Sequence, residues 1–141
     1  MRITLDTNVL VSATFWKGDS FRIMALVEEK KLTLVLSLPI IEEYFKVINS
    51  DEIIDKMKNK EIMISEIIEN VMNSCEVVEP KIKLDVVEED TDDNKVLECA
   101  KQGKVDCIIT QDQHLLKLRS FDEISILTPA AFLEMISAGQ S

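Results

Sequence analysis

Four acidic positions fall where simple patterning puts the ends of buried elements. Asp6 closes the apolar run Ile3-Thr-Leu5, and Thr7 and Asn8 separate it from a second apolar run, Val9 to Val11. Asp112 follows the run Cys107-Ile-Ile-Thr110 after a single intervening Gln111. Asp93 ends the acidic stretch Glu88-Glu-Asp-Thr-Asp-Asp93, and Glu43 sits beside Glu42 among the apolar positions Ile40, Ile41, Tyr44 and Phe45. A carboxylate at the tip of a buried strand is costly to desolvate unless something pairs with it. Several that converge repel one another unless cations offset them. Mg²⁺ or Mn²⁺, hard ions that prefer oxygen, are the natural complement of such a set, and zinc and iron suit it less. A carboxylate-held pair of ions about 4 Å apart is a recurrent device for phosphodiester hydrolysis, and it needs no covalent nucleophile. Each acid also has a plainer use. Asp6 can cap a helix that starts at Thr7, and Asp92 or Asp93 can cap one that starts at Asn94. Glu43 can sit on a solvated helix face, and Asp112 can be a turn residue. Joint placement at one sheet edge is what separate caps do not predict.

The elements that would position these acids alternate between strand and helix. Ile3 to Leu5 reads as a strand, Val9 to Ala13 as a short helix interrupted at Phe15-Trp16-Lys17-Gly18, and Phe21 to about Lys30 as a helix capped by Asp19 or Ser20. Leu32 to Ser37 is apolar almost throughout, as a strand buried on both faces should be. Pro39 opens a helix over Ile40 to Ile48, and Ser50 caps another from Asp51 to about Lys58. From Lys60 to Met72, Ile64, Ile67, Ile68, Val71 and Met72 recur at helical spacing. A third strand is expected over Glu76 to Glu79, followed by an extended connection over Lys81 to Val87. The helix after Asp93 carries Val96, Leu97 and Ala100 inward and closes on Gly103 as its C′ residue. Cys107 to Thr110 and Ile124 to Leu127 are the fourth and fifth strands, separated by a turn of helix at His114 to Leu118, and Thr128-Pro129 starts the last helix. Short buried strands alternating with helices imply parallel βαβ units and an α/β fold: a three-layer αβα sandwich around a parallel sheet of about five strands. Ligands in such sheets bind at the carboxyl ends of the strands, where strand order reverses. Strands one and four, as central neighbours, would place Asp6 and Asp112 at one crevice.

Bulk properties bound the function. At 141 residues and 46% hydrophobic, the expectation is one domain over residues 1–141 with one sizeable core. No apolar run reaches the length of a membrane span, and the first residues are not a signal sequence, so a cytoplasmic protein is expected. Cys75, Cys99 and Cys107 are widely spaced with one His in the chain, which argues for reduced thiols rather than a zinc site or a disulfide framework. The formal net charge of −10 opposes a broad basic surface for nucleic acid. It leaves room for metal held by carboxylates, which presents positive charge locally.

With these residues in place, the chain resembles the PIN-domain family, and within it the toxin components of toxin–antitoxin systems. The resemblance runs from Ile3 to about Met135. It is carried by Leu5-Asp-Thr-Asn-Val-Leu-Val-Ser-Ala13, Ser37-Leu-Pro-Ile-Ile-Glu-Glu-Tyr44, Asp90-Thr-Asp-Asp-Asn-Lys-Val-Leu97, Val105-Asp-Cys-Ile-Ile-Thr-Gln-Asp112 and Leu115-Leu116 with Leu118. Each motif is short, and their order and spacing together are fairly specific. The resemblance implies a metal-dependent ribonuclease with a three-layer αβα fold. It implies that Asp6, Glu43, Asp93 and Asp112 are the catalytic metal ligands, with Glu42, Asp92 and Asp106 as the alternative acids. Asn8 and Thr110 match polar positions that orient the acids. Gln111 stands where the family usually has Gly. An RNA substrate, a homodimer and an inhibitory antitoxin chain are implied in the same way.

Other residues compete for attention. Phe15 and Trp16 could stack bases or form a dimer contact, although an edge of the core is the plainer reading. Lys17, Arg22, Lys95, Lys117 and Arg119 are the cations nearest the proposed site, and His114 reads as a surface or capping residue. Two other functions remain. One is a non-catalytic PIN-like module that binds RNA or protein, which loss of an acid would favour. The other is an aspartyl-phosphate phosphatase, which needs a second Asp where Asn8 stands.

Overall fold

A computed structural model describes residues 1–56, 61–84 and 91–139. The chain runs β1 (Arg2–Leu5), α1 (Thr7–Phe15), α2 (Asp19–Glu28), β2 (Thr33–Ser37), α3 (Leu38–Ile48), α4 (Asp51–Lys56), α5 (Glu61–Asn73) and β3 (Cys75–Val78). It continues with α6 (Thr91–Gly103), β4 (Cys107–Ile109), α7 (Gln113–Leu116), β5 (Ser120–Phe121), β6 (Ile124–Leu127) and α8 (Pro129–Ser137). The sheet order is β3-β2-β1-β4-β6-β5, with every pairing parallel except β5 against β6. This is the expected α/β sandwich, with five parallel strands and an added antiparallel edge.

The central strands are apolar because both of their faces are covered. Side chains alternate along a strand. Thr4 meets Cys99 of α6, and Val35 meets Gly103 at the end of the same helix. Ile3, Leu5, Leu34 and Leu36 alternate with these and are fully buried. The buried residues form one contiguous core. Strands β1, β2 and β3 advance toward one edge, and β4 then returns to the other side of β1. The reversal of strand order therefore lies between β1 and β4.

Several boundaries differ from those expected. α1 begins at Thr7 rather than near Val9 and runs on through Phe15. α2 begins at Asp19, so Asp19 lies in its first turn and Gly18, at φ 151°, is its N-cap. Gly103 is not the C′ residue of α6. That place belongs to Lys104 at φ 52°, where Val105 N–H reaches Ala100 O and Lys104 N–H reaches Lys101 O in a Schellman closure. Gly103 is needed for close approach, since a Cβ there would stand 2.5 Å from Val35 Cγ1. The unanticipated β5–β6 hairpin turns through Asp122 and Glu123, at φ 47° and 68°. Two left-handed residues in a two-residue loop make a type I′ turn, built here without the Asn-Gly or Asp-Gly that usually announces one. In α5, Val71 is buried and Ile68 and Met72 pack against the core, while Ile64, Ile67 and residues 85–87 of the connection lie outside the described side chains. Among the described residues, no helix is long and apolar enough to cross a membrane.

Candidate metal centre

The register of β1 and β4 builds the site. Leu5 pairs with Ile109, and the ladder continues one step further as Asp6 N–H donates to Ile109 O at 3.0 Å. That step sets Asp6 beside Thr110. Thr110 is fully buried, its own N–H donates to Leu127 O on β6, and its hydroxyl donates to Asp6 Oδ2 at 2.8 Å. The same hydroxyl oxygen accepts the N–H of Asp112 at 3.0 Å. A hydroxyl offers one proton and two lone pairs, so one atom ties both acids together.

Asp6 occupies the N-cap position of α1, with the extended backbone that position requires. Its carboxylate makes no cap hydrogen bond. The plain capping use is therefore not the one realised, and a carboxylate only 9% exposed is turned to Thr110 instead. Asp112 does cap its helix, accepting His114 N–H at 2.8 Å on Oδ1. Both uses considered for Asp112, turn residue and site acid, are compatible with that bond, because a carboxylate has about four lone-pair directions.

Asp93 lies in the first turn of α6 and is 4% exposed. Its Oδ2 stands 3.6 Å from His114 Nδ1, which stands 3.4 Å from Asp112 Oδ1. Asp93, Asp112 and His114 each offer one ligand atom within 4.8 Å of the others. Asp6 and Glu43 are outside that group of three. The side chain of Asp92, the alternative to Asp93, lies outside the described ones.

Glu43 is half-buried on α3, and Glu42 beside it is exposed. Its neighbour Tyr44 anchors the helix: fully buried, it hydrogen-bonds through its hydroxyl to Thr14 of α1. Thr14 donates its own proton to Leu10 O, so Tyr44 is the donor between them. Burial pushes the Tyr44 hydroxyl up from its ordinary pKa. Both glutamates line an open groove of about 660 Å³ together with Pro39, Lys46, Ser50 and Lys95. Lys95 brings α6, the helix that carries Asp93, to the wall of this groove.

Asn8 is exposed and, among the described residues, hydrogen-bonds to none of the acids. Of the two residues expected to orient the acids, Thr110 makes a hydrogen bond to one of them, Asp6. His114, read from sequence as a surface or capping residue, turns instead toward both Asp93 and Asp112. Its signal was the spacing Asp112-x-His114 at a helix start, where an N-cap side chain faces the residue two positions on. Phe15 packs against the core, while Trp16 is exposed and meets Phe15 edge-on with ring centroids 5.9 Å apart.

Among the described residues, no cysteine joins this group. Burial raises the pKa of Cys99, and it pushes Cys107 up to about 12. Neither provides a thiolate at neutral pH. The available donors are carboxylate oxygens and one imidazole, a set that fits a divalent cation. The buried Nδ1 of His114, which makes no hydrogen bond, is the kind of atom such an ion would satisfy.

A family model described as PIN domain matches residues 2–114. This chain belongs to the PIN-domain family, whose members are generally nucleases. Among solved structures, it is similar to a chain of the crystal structure of VapBC2 from Rickettsia felis bound to a DNA fragment from their promoter. That match has a TM-score of 0.60 at 14% sequence identity and covers 89% of this chain and 97% of the other. It establishes the shared fold. No curated protein sequence matches the chain.

Proposed function

We propose that the protein is a Mg²⁺- or Mn²⁺-dependent endoribonuclease acting in the cytoplasm as the toxin of a toxin–antitoxin pair. The observation that carries the nuclease reading is the Asp6–Thr110–Asp112 linkage beside Asp93. A helix N-cap is left uncapped so that its carboxylate can face the crevice where strand order reverses.

Asp93 and Asp112 would hold the cation, with Asp6 adding charge from the next strand and Glu43 contributing from the groove. A bound divalent ion supplies a Lewis acid for the phosphodiester and acidifies water. Thr110 fixes Asp6 and the start of α7, so the acids keep their spacing as substrate arrives. Lys46 and Lys95 give the groove positive charge along a path that an RNA backbone could follow past Glu43. Toxin membership is supported by the motif resemblance and by the fold shared with a chain of the VapBC2 complex. An antitoxin chain and a homodimer are part of the same reading.

The test is incubation of single-stranded RNA with the protein and Mn²⁺ or Mg²⁺, with EDTA and Asp6→Asn as controls. Cleavage should need metal and fall by about a hundredfold or more in Asp6→Asn, beyond the effect of losing an outer partner of a metal site. Cleavage that persists at full rate in Asp6→Asn rejects the mechanism. Metal binding without cleavage of any RNA favours the non-catalytic binding module. Hydrolysis of small phosphate monoesters in place of RNA favours the phosphatase.

A further inference from the structure

We propose that His114 is a metal ligand: its Nδ1 joins Asp93 and Asp112 around one ion and makes the site prefer Mn²⁺ over Mg²⁺. This rests on the metal-dependent reading above and goes beyond it, since an all-carboxylate site has no such preference built in.

The distances carry the inference. A charge-assisted N–H to carboxylate hydrogen bond is about 2.7–2.9 Å long. His114 Nδ1 lies 3.4 Å from Asp112 Oδ1 and 3.6 Å from Asp93 Oδ2, too far from either for such a bond. Two donors each about 2.1 Å from a shared ion stand roughly 3 Å apart at a right angle and roughly 4 Å apart when opposed. The observed 3.4 and 3.6 Å separations suit donors arranged around a cation better than donors bonded to one another.

Burial supports the same assignment. Nδ1 is itself buried and makes no hydrogen bond, although the His114 side chain as a whole is 42% exposed. A buried polar atom left unsatisfied is destabilising, and a bound ion would satisfy it. The His114 backbone N–H donates to Asp112 Oδ1 at 2.8 Å, which places the residue at the start of α7 beside that carboxylate.

Metal choice then follows from ligand type. Mg²⁺ is bound through oxygen and keeps much of its water, whereas Mn²⁺, a first-row transition ion though the one least drawn to nitrogen, accepts an imidazole more readily than Mg²⁺ does. One nitrogen among carboxylates shifts preference toward Mn²⁺.

The chain contains a single His, which makes the test unambiguous. Tag-free, metal-free protein is loaded with Mn²⁺ and studied by electron spin-echo envelope modulation, with Mn²⁺ and Mg²⁺ affinities measured alongside by calorimetry. The expected result is ¹⁴N modulation from a directly bound imidazole that disappears in His114→Ala and His114→Gln. Mn²⁺ affinity should fall by about tenfold or more in both variants, against a smaller change for Mg²⁺. His114→Gln keeps the side chain's length and its capping backbone, so a folded variant is available if the alanine change proves disruptive. Mn²⁺ bound and displaced by Asp93→Asn, but without ¹⁴N modulation, overturns the histidine ligand and leaves the nuclease reading standing. Absence of Mn²⁺ and Mg²⁺ binding at millimolar concentration overturns both.

Discussion

Asp6 and Asp112 occupy equivalent places in the chain. Each follows a central parallel strand, each takes the extended backbone of an N-cap, and their strands are neighbours in the sheet. Their carboxylates are used differently. Asp112, a quarter exposed, turns Oδ1 back onto its own helix. Asp6, more deeply buried, leaves its helix uncapped and takes the hydroxyl of Thr110 across the sheet. Local sequence does not decide between these uses, because Asp at an N-cap normally caps. Register decides. Pairing Leu5 with Ile109 puts a buried donor beside Asp6. A forgone cap costs about 1 kcal/mol. The fold accepts that cost at the one acid closest to the reversal of strand order.

The largest effect should come from the atom the two acids share. Thr110→Val keeps shape but removes the donor to Asp6 and the acceptor for Asp112 N–H. Leaving buried polar groups unsatisfied should lower stability by about 1–3 kcal/mol in urea unfolding. Metal affinity should fall about ten- to a hundredfold, as when a partner that orients a ligand is lost. Thr110→Ser should restore most of both. If the valine variant unfolds and binds metal like the parent, the two acids are not coupled through this hydroxyl.

Stability alone separates the acids at the next level. Asp112→Ala removes a working cap and should cost about 1 kcal/mol, whereas Asp112→Asn, an equally good cap, should cost little. Asp6→Asn removes charge without removing a cap and keeps an acceptor for Thr110. Relief of repulsion among the clustered acids should make it neutral or stabilising in metal-free protein. Thermal or urea midpoints for the three variants measure this directly. Equal destabilisation by Asp6→Asn and Asp112→Ala would remove the distinction drawn here.

What could be read from residues alone follows the range of the forces involved. The alternation of short apolar strands with helices was legible, because burial on both sheet faces leaves long apolar runs at Ile3–Leu5, Leu34–Leu36 and Cys107–Ile109. The acids at the strand ends were legible for the same reason. Features set by contacts between distant segments were not. Gly103 invited a C′ reading, but its lack of a side chain answers to Val35, 68 positions earlier, and Lys104 takes the left-handed turn. The β5–β6 hairpin has only two residues on one side and no glycine in its turn, so neither period nor turn chemistry announced it. His114 was legible as a helix-start residue. Its approach to Asp93 depends on α6 being packed against β1, which no local pattern carries.

The smallest effect concerns Gln111, between the shared threonine and the capping acid. The family usually has Gly there, and a Gly invites the inference that the backbone must be left-handed. It need not be. Among the described residues, the left-handed non-glycine ones are Lys30, Lys104, Arg119, Asp122 and Glu123, and Gln111 is not one of them. Asp112 is then delivered by ordinary backbone, pinned through its N–H to Thr110 and through Oδ1 to His114. Gln111 is exposed and lines a shallow pocket of about 250 Å³ with Ser12 and Trp16, so its side chain leaves the acids unobstructed. Gln111→Gly should therefore leave metal affinity and cleavage unchanged. It should lower stability by about 0.4–1 kcal/mol, because glycine widens the unfolded ensemble without relieving any strain in the folded one. A gain in stability or in metal affinity would mean that the segment from Thr110 to Asp112 is strained, and that Asp112 holds its position against its backbone rather than because of it.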